Sequence, residues 1–268
     1  MFLSRWLPIQ YHKPKPLGHY GCIPDQIDHR DRIYKVPSKI AKKAPVSVDL
    51  SQWNSPVRDQ GDEGACTGFG ITAHLEWLEN RDHKADSTWS VHLMSPQFLY
   101  YQERVLENTV YSDSGAQIRD GIKVCAKTGC ASEDMWPYSR PMTQKPCPQA
   151  YADASQHQIL TYHRLQTLQD ALGCLGEGYP FVLGIAVYES FESDAVIKSG
   201  QVPMPEPGER LLGGHCIFGC GCDVVKQQIK VKNSWGPDAG DKGYFYLPFD
   251  YVAKYANDMW TIRTGEEM

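Results

Sequence analysis

The segment after Ala65 restricts the fold of this chain more than any other. Laid on a helix at about 100° per residue, Cys66, Phe69, Ala73 and Trp77 share one face, while Ile71, Leu75 and Leu78 share roughly the opposite one. A surface helix needs one apolar stripe, so a helix that is apolar on two sides has to lie between packed layers. Cys66 stands in its first turn. The preceding Gln60-Gly61-Asp62-Glu63-Gly64 supplies glycines for a tight entry loop.

What surrounds that helix changes character along the chain. From about 66 to 160 the signals are helical: Ser95-Pro96 opens a helix through Val105, and Ala116 to Lys127 forms another that Gly129 ends. Beyond 160, Phe181 to Val187, His215 to Asp223, Gln227 to Lys232 and Tyr244 to Leu247 read as strands separated by Gly and Pro turns. A helical part followed by a β part predicts an α+β protein of two lobes with a cleft between them. Its 268 residues, 41% hydrophobic and 22% charged with no apolar run long enough to span a bilayer, exclude a disordered chain and an integral membrane protein. A net charge of -5 leaves no basic surplus for a phosphate backbone, so neither nucleic acid nor membrane is expected as a partner.

The charge is divided unevenly. Residues 1–48 carry nine Lys/Arg and three Asp, net +6, against net -11 for the remainder. Six prolines in the same stretch disfavour long helices. The expectation is an extended N-terminal strap, residues 1–45, lying on an acidic body of residues 46–268, with a mobile solvated tail the alternative for residues 1–17. Arg5 and Pro8 interrupt what would be the core of an export signal, which favours a cytoplasmic location and leaves a signal-less secretion route open.

Nine cysteines are an odd set, and eight of them read as small buried side chains. Cys66 differs by position. At a helix N-terminus the free N–H groups and the macrodipole favour thiolate over thiol. A nucleophile needs a base, and His215 is the histidine that follows Gly213-Gly214 and opens an apolar strand, packed yet able to face a cleft. A third group has to orient the ring. Strand alternation puts Asn233 on the inward face with Ile229 and Val231, where its amide requires a partner.

Arg58-Asp59-Gln60-Gly61, Gly64-Ala65-Cys66, Gly214-His215 and Asn233-Ser234-Trp235-Gly236 occur in the order found in the papain-like (C1) cysteine peptidases, which this chain resembles over about residues 46–250. Cys66 and His215 are 149 residues apart, near the spacing of that family. Trp136-Pro137-Tyr138 is similar to the family's interlobe turn, and the leader resembles the short N-terminal extensions of bacterial members. Glu63 stands where many members have a disulfide-forming cysteine, and Thr67-Gly68 replaces the usual Trp-Ala.

The resemblance implies a papain-like two-lobe fold, a helical left lobe at about 49–150 and an antiparallel β-barrel-like right lobe at 151–268. It implies a cysteine endopeptidase without cofactor or metal, in which Cys66 is the nucleophile, His215 the general base and acid, Asn233 the group orienting it, and Gln60 with the Cys66 N–H the oxyanion donors. Trp235 would shield the Asn233–His215 bond. Gly115-Ala116 would pair with an extended peptide substrate and Gly214 would border a side-chain pocket. The strap is the other expected occupant of the cleft, restraining activity by crossing it.

Three other readings compete. His215, Cys216, Cys220 and Cys222 contain zinc-type ligands, but strand parity sets the three cysteines on one face and His215 on the other. The scaffold could serve as a catalytically silent binding protein, or the same nucleophile could pass its acyl group to an amine.

Overall fold

The computed structural model describes residues 20–41, 46–83 and 91–264. The strap expectation for residues 1–17 therefore lies outside the described residues. The chain builds one seven-stranded sheet, β2 (Val48–Asp49), β4 (Thr161–Leu165), β5 (Phe181–Tyr188), β6 (Leu211–Asp223), β7 (Gln228–Lys232), β8 (Tyr244–Pro248) and β9 (Ala256–Arg263). Its order is β4-β9-β5-β6-β7-β8 with β2 also on β6, every pairing is antiparallel, and the path does not close into a barrel. A separate two-stranded parallel pair joins β1 (Cys22–Ile23) of the strap to β3 (Ala116–Gln117).

Helices cover both faces. α2 (Cys66–Asp82), α3 (Pro96–Leu106) and α4 (Ile118–Lys127) pack on one side of the sheet, where Ile71, Leu78, Ile122, Val182, Phe218 and Trp260 form a common core. On the other side α6 (Leu168–Glu177) and α8 (Phe249–Tyr255) enclose Leu183, Ile185, Ile217, Val231 and Phe245. The even and odd residues of β5, and of β6 as far as Gly219, thus face different cores, as the two-residue repeat of a strand requires. Three short helices, α1 (Ser38–Ala41), α5 (Pro148–Ala154) and α7 (Asp194–Ser199), complete the set. No helix among the described residues is long and apolar enough to cross a membrane.

The predicted helix with two apolar sides is α2. It meets α3 and α4 on one flank and β6 on the other, and the sheet approaches so closely that a Cβ on Gly70 would stand 2.7 Å from the Cys216 sulfur. α3 begins where Ser95-Pro96 predicts, with the Ser95 hydroxyl accepting the Phe98 N–H at 2.9 Å. Two expectations are corrected. Ala116 and Gln117 are a strand rather than the first helical turn, because strap backbone pairs with them. A bulge between Gly219 and Gly221 reverses strand parity, so Cys216 and Cys220 face the α2 core while Cys222 faces the other.

The described part of the strap, residues 20–41, does lie on the body, but through charges opposite to those expected. Its Asp31 pairs with Arg119 at 2.7 Å, and its Asp25 accepts from the Arg119 N–H at 3.1 Å, from the Trp260 indole at 2.8 Å and from Arg164 at 3.3 Å. Asp258 on β9 completes this cluster, paired with Arg164 and accepting the Asp25 N–H at 2.8 Å. Strap Arg30 pairs instead with strap Asp28.

Candidate active site

Cys66 is the first residue of α2. Its N-cap, Ala65, has no capping side chain, so the helix's positive end is directed at Cys66 and its surroundings. The entry loop is fixed from both lobes. The Gly64 N–H donates to Asp113 at 3.0 Å, the Gln60 N–H donates to the Ser234 carbonyl at 2.9 Å, and the Tyr138 hydroxyl donates to the Gln60 carbonyl at 2.7 Å. Behind it, Glu76 of α2 accepts from Arg58 at 2.6 Å, from the Met94 N–H at 2.8 Å and from Ser55. Lys232, next to Asn233, reaches across to the Ser55 carbonyl at 2.8 Å, and burial pushes its ammonium down to about 8.

Cys66 is fully buried, and the backbone N–H groups of Gly21 and Cys216 are close enough to favour its thiolate. Burial pushes its thiol well above the ordinary range, with the neighbouring Cys22 adding to the shift and the two N–H groups opposing it. His215 sits on β6, also fully buried, and its Nε2 lies 2.7 Å from Asn233 Oδ1. Oδ1 also accepts the Ser234 N–H at 2.8 Å, which fixes it as the acceptor, so Nε2 holds the ring proton. Nδ1 then carries the lone pair and makes no hydrogen bond. Burial holds this imidazole down to about 4, against the opposing effect of Asn233. Cys216, whose N–H approaches the Cys66 sulfur, is the residue after His215. Burial favours the neutral form of both groups, and His215 Nδ1 makes no hydrogen bond to the thiol.

Trp235 stacks on the His215 ring, with centroids 5.2 Å apart and planes at 27°. Gln60 is buried. Its Oε1 accepts the Ser234 hydroxyl at 2.6 Å, which turns Nε2 the other way, toward the Glu63 carbonyl at 2.9 Å. Ser234 is a site residue that the sequence reading passed over, although it lies inside the Asn-Ser-Trp-Gly motif.

Both proposed cleft walls touch the strap. Gly115 holds φ at +74°, and a Cβ there would collide with the Gly21 carbonyl, the same carbonyl that accepts the Ala116 N–H at 2.7 Å. Across the groove a Cβ on Gly214 would collide with the Cys22 carbonyl. Tyr20 meets His215 edge-on at 5.7 Å and Trp235 at 6.3 Å, and its hydroxyl donates to Glu192. Tyr20 and Cys22 are strap residues whose contacts the sequence did not reveal. Among the described residues no group of three or more His, Cys, Asp or Glu side chains is arranged to hold a metal ion.

A family model described as papain family cysteine protease matches residues 44–259. The chain therefore belongs to the papain family of cysteine peptidases, the C1 hydrolases, and its helix-and-sheet architecture is theirs. Among solved structures, xylellain, a cysteine protease from Xylella fastidiosa, superposes with a TM-score of 0.84 at 34% identity, covering 95% of this chain and 99% of that one. The uncharacterized peptidase C1-like protein L477 of Acanthamoeba polyphaga mimivirus is 37% identical over 228 residues, 81% of this chain and 72% of its own. Digestive procathepsin L 3 of Tenebrio molitor shares the fold with a TM-score of 0.67 at 18% identity, covering 87% of this chain and 74% of that one.

Proposed function

We propose that this papain-family peptidase is an endopeptidase working through Cys66, His215 and Asn233, and that residues 20–41 restrain it by occupying its cleft. The observation that carries the reading is the strap's own seating. An extended backbone at Gly21-Cys22 fits between Ala116 and Gly214 and passes over the sulfur, which is what a groove for an extended peptide accommodates. The strap presents an N–H to the sulfur instead of a carbonyl carbon, so it occupies the groove without offering a bond to attack.

With the strap lifted, water and substrate reach the site and the burial that neutralises both groups is relieved. His215 Nδ1 takes the Cys66 proton, and the helix N-terminus stabilises the resulting thiolate. The thiolate adds to the peptide carbonyl. The oxyanion is met by the Cys66 N–H and by Gln60 Nε2, which gives up the Glu63 carbonyl, each donor worth about 3–4 kcal/mol. The imidazolium protonates the leaving amine, and a water deprotonated by His215 then releases the acyl group. Asn233 keeps the lone pair of Nδ1 directed at the cleft throughout.

Gly21 provides the test. A Cβ there would collide with the Gly64 carbonyl, a backbone group unable to move aside, so Gly21→Val expels the strap from an otherwise intact chain. Gly21→Val is expected to cleave a mixed peptide library at least tenfold faster than the wild type, and Cys66→Ala in the same background to abolish cleavage. Equal rates with and without Gly21→Val would remove the restraint. Cleavage surviving Cys66→Ala would remove the nucleophile.

A further inference from the structure

Beneath the strap, a second pair of sulfurs lies beside the nucleophile. Cys22 follows Gly21, and its side chain turns inward, 8% exposed, into the core that also holds Cys66, Cys216 and Ile118. Gly184 on β5 and Cys216 on β6 are direct partners across an antiparallel pair, where facing Cβ positions are about 4.5–5.5 Å apart. The Cys22 sulfur stands 3.0 Å from where a Gly184 Cβ would be, so it fills the place of the side chain that Cys216's partner lacks. The thiols of Cys22 and Cys216 are neighbours there, and each acts on the ionisation of the other. One belongs to the strap, the other to the strand that carries His215, and the chemistry proposed above uses neither.

We propose that Cys22 and Cys216 are the site of a reversible disulfide that fastens the strap over Cys66. That this fastening silences an enzyme rests on the peptidase reading; the bond itself does not. The oxidant is a low-molecular-weight disulfide, RSSR. In the docked strap both thiols are buried, and burial favours the unreactive protonated form, so reaction begins when the strap lifts and exposes Cys22. The Cys22 thiolate attacks RSSR, forming Cys22–S–SR and expelling RS⁻, which takes up the proton Cys22 lost. On redocking, the Cys216 thiolate attacks the Cys22 sulfur and expels a second RS⁻, which takes up the Cys216 proton. Two thiols and RSSR become one disulfide and two RSH, and a reducing dithiol reverses the exchange. Gly184 keeps the geometry available, since any side chain there would take the Cys22 position.

The test uses the full chain with Cys66→Ala, so that oxidation of the nucleophile does not enter, and oxidised glutathione as RSSR. After acid quenching, remaining thiols are alkylated and the non-reduced digest is mapped by mass spectrometry. The expected product is a linked peptide pair containing Cys22 and Cys216, two hydrogens lighter than the sum of its parts. With it, limited proteolysis within residues 20–41 should slow at least tenfold, and dithiothreitol should reverse both effects. Adding Cys22→Ser or, separately, Cys216→Ser should eliminate both. Cys22 and Cys216 recovered alkylated, each carrying a separate glutathione, or Cys22 linked to another cysteine would overturn the proposal. Failure of the fully reduced Gly21→Val chain to cleave peptides would count against the catalytic reading and leave the disulfide standing.

Discussion

Under the proposed mechanism, Cys66 and His215 face opposite protonation demands with the strap docked and with it lifted. Closed, burial favours the neutral thiol and a neutral imidazole held at about 4. A group whose folded pKa lies below its solvated value opposes protonation, so strap docking on His215 weakens as pH falls through the window from about 6.5 to about 4. Asp25 has the reverse sign. Burial pushes its carboxyl up to about 6, so docking on its account strengthens as pH falls from about 6 to about 3.8. The two largely offset each other in the wild type. Asp25→Asn removes the second, and its strap should become markedly more sensitive to limited proteolysis between pH 6.5 and 4.5 than the wild-type strap, measured in a Cys66→Ala background. Asn233 was legible because a strand's alternation buried an amide that had to find a partner. Asn233→Ala should lower kcat/KM at least tenfold, the effect of losing one hydrogen bond to a charged ring, about 1.5 kcal/mol, with the Cys66 alkylation profile moving as well.

Elements were legible where local pattern and burial agree. α2 announced itself by two apolar faces, α3 by Ser95-Pro96, and β5 by an unbroken apolar run. β9 did not, because Asp258, Thr261 and Arg263 are polar residues buried inside a sheet. Asp258 meets Arg164 on the neighbouring strand and Thr261 donates to the Pro180 carbonyl at 2.9 Å, partners that belong to distant sequence. β1 and β3 were illegible for a similar reason, since two residues become a strand only when the other pair arrives. The α2–α3 contact carries one polar exception: Glu103, fully buried, accepts the Thr67 hydroxyl at 2.6 Å, and burial pushes its carboxyl up to about 8. An acid raised in the folded state loses stability as pH rises from about 4.5 toward about 8. Glu103→Gln should flatten that decline and leave the protein about 1–3 kcal/mol more stable than wild type at pH 9, by urea denaturation.

Over the whole molecule, the two-lobe α+β plan was readable from the succession of helical and β signals, and the candidate triad from three residues in different elements. The proposed cleft occupant was readable only in outline. Net charge predicted a basic strap on an acidic body, whereas the described part meets body arginines through its own carboxylates, Asp31 on Arg119 and Asp25 on Arg164, because such contacts are set by local geometry and the long-range field is screened. In the proposed mechanism, fold, site and strap converge on the Cys66 sulfur, with an ionisation set by what covers it. The rate of Cys66 alkylation by iodoacetamide, followed against pH in the fully reduced wild type and in Gly21→Val, measures that dependence directly. Gly21→Val should show one thiol reacting rapidly well below pH 8 while the same thiol in the wild type stays protected. Identical profiles, or a Cys66 in Gly21→Val that titrates like an ordinary solvated thiol near about 8.5, would contradict the account.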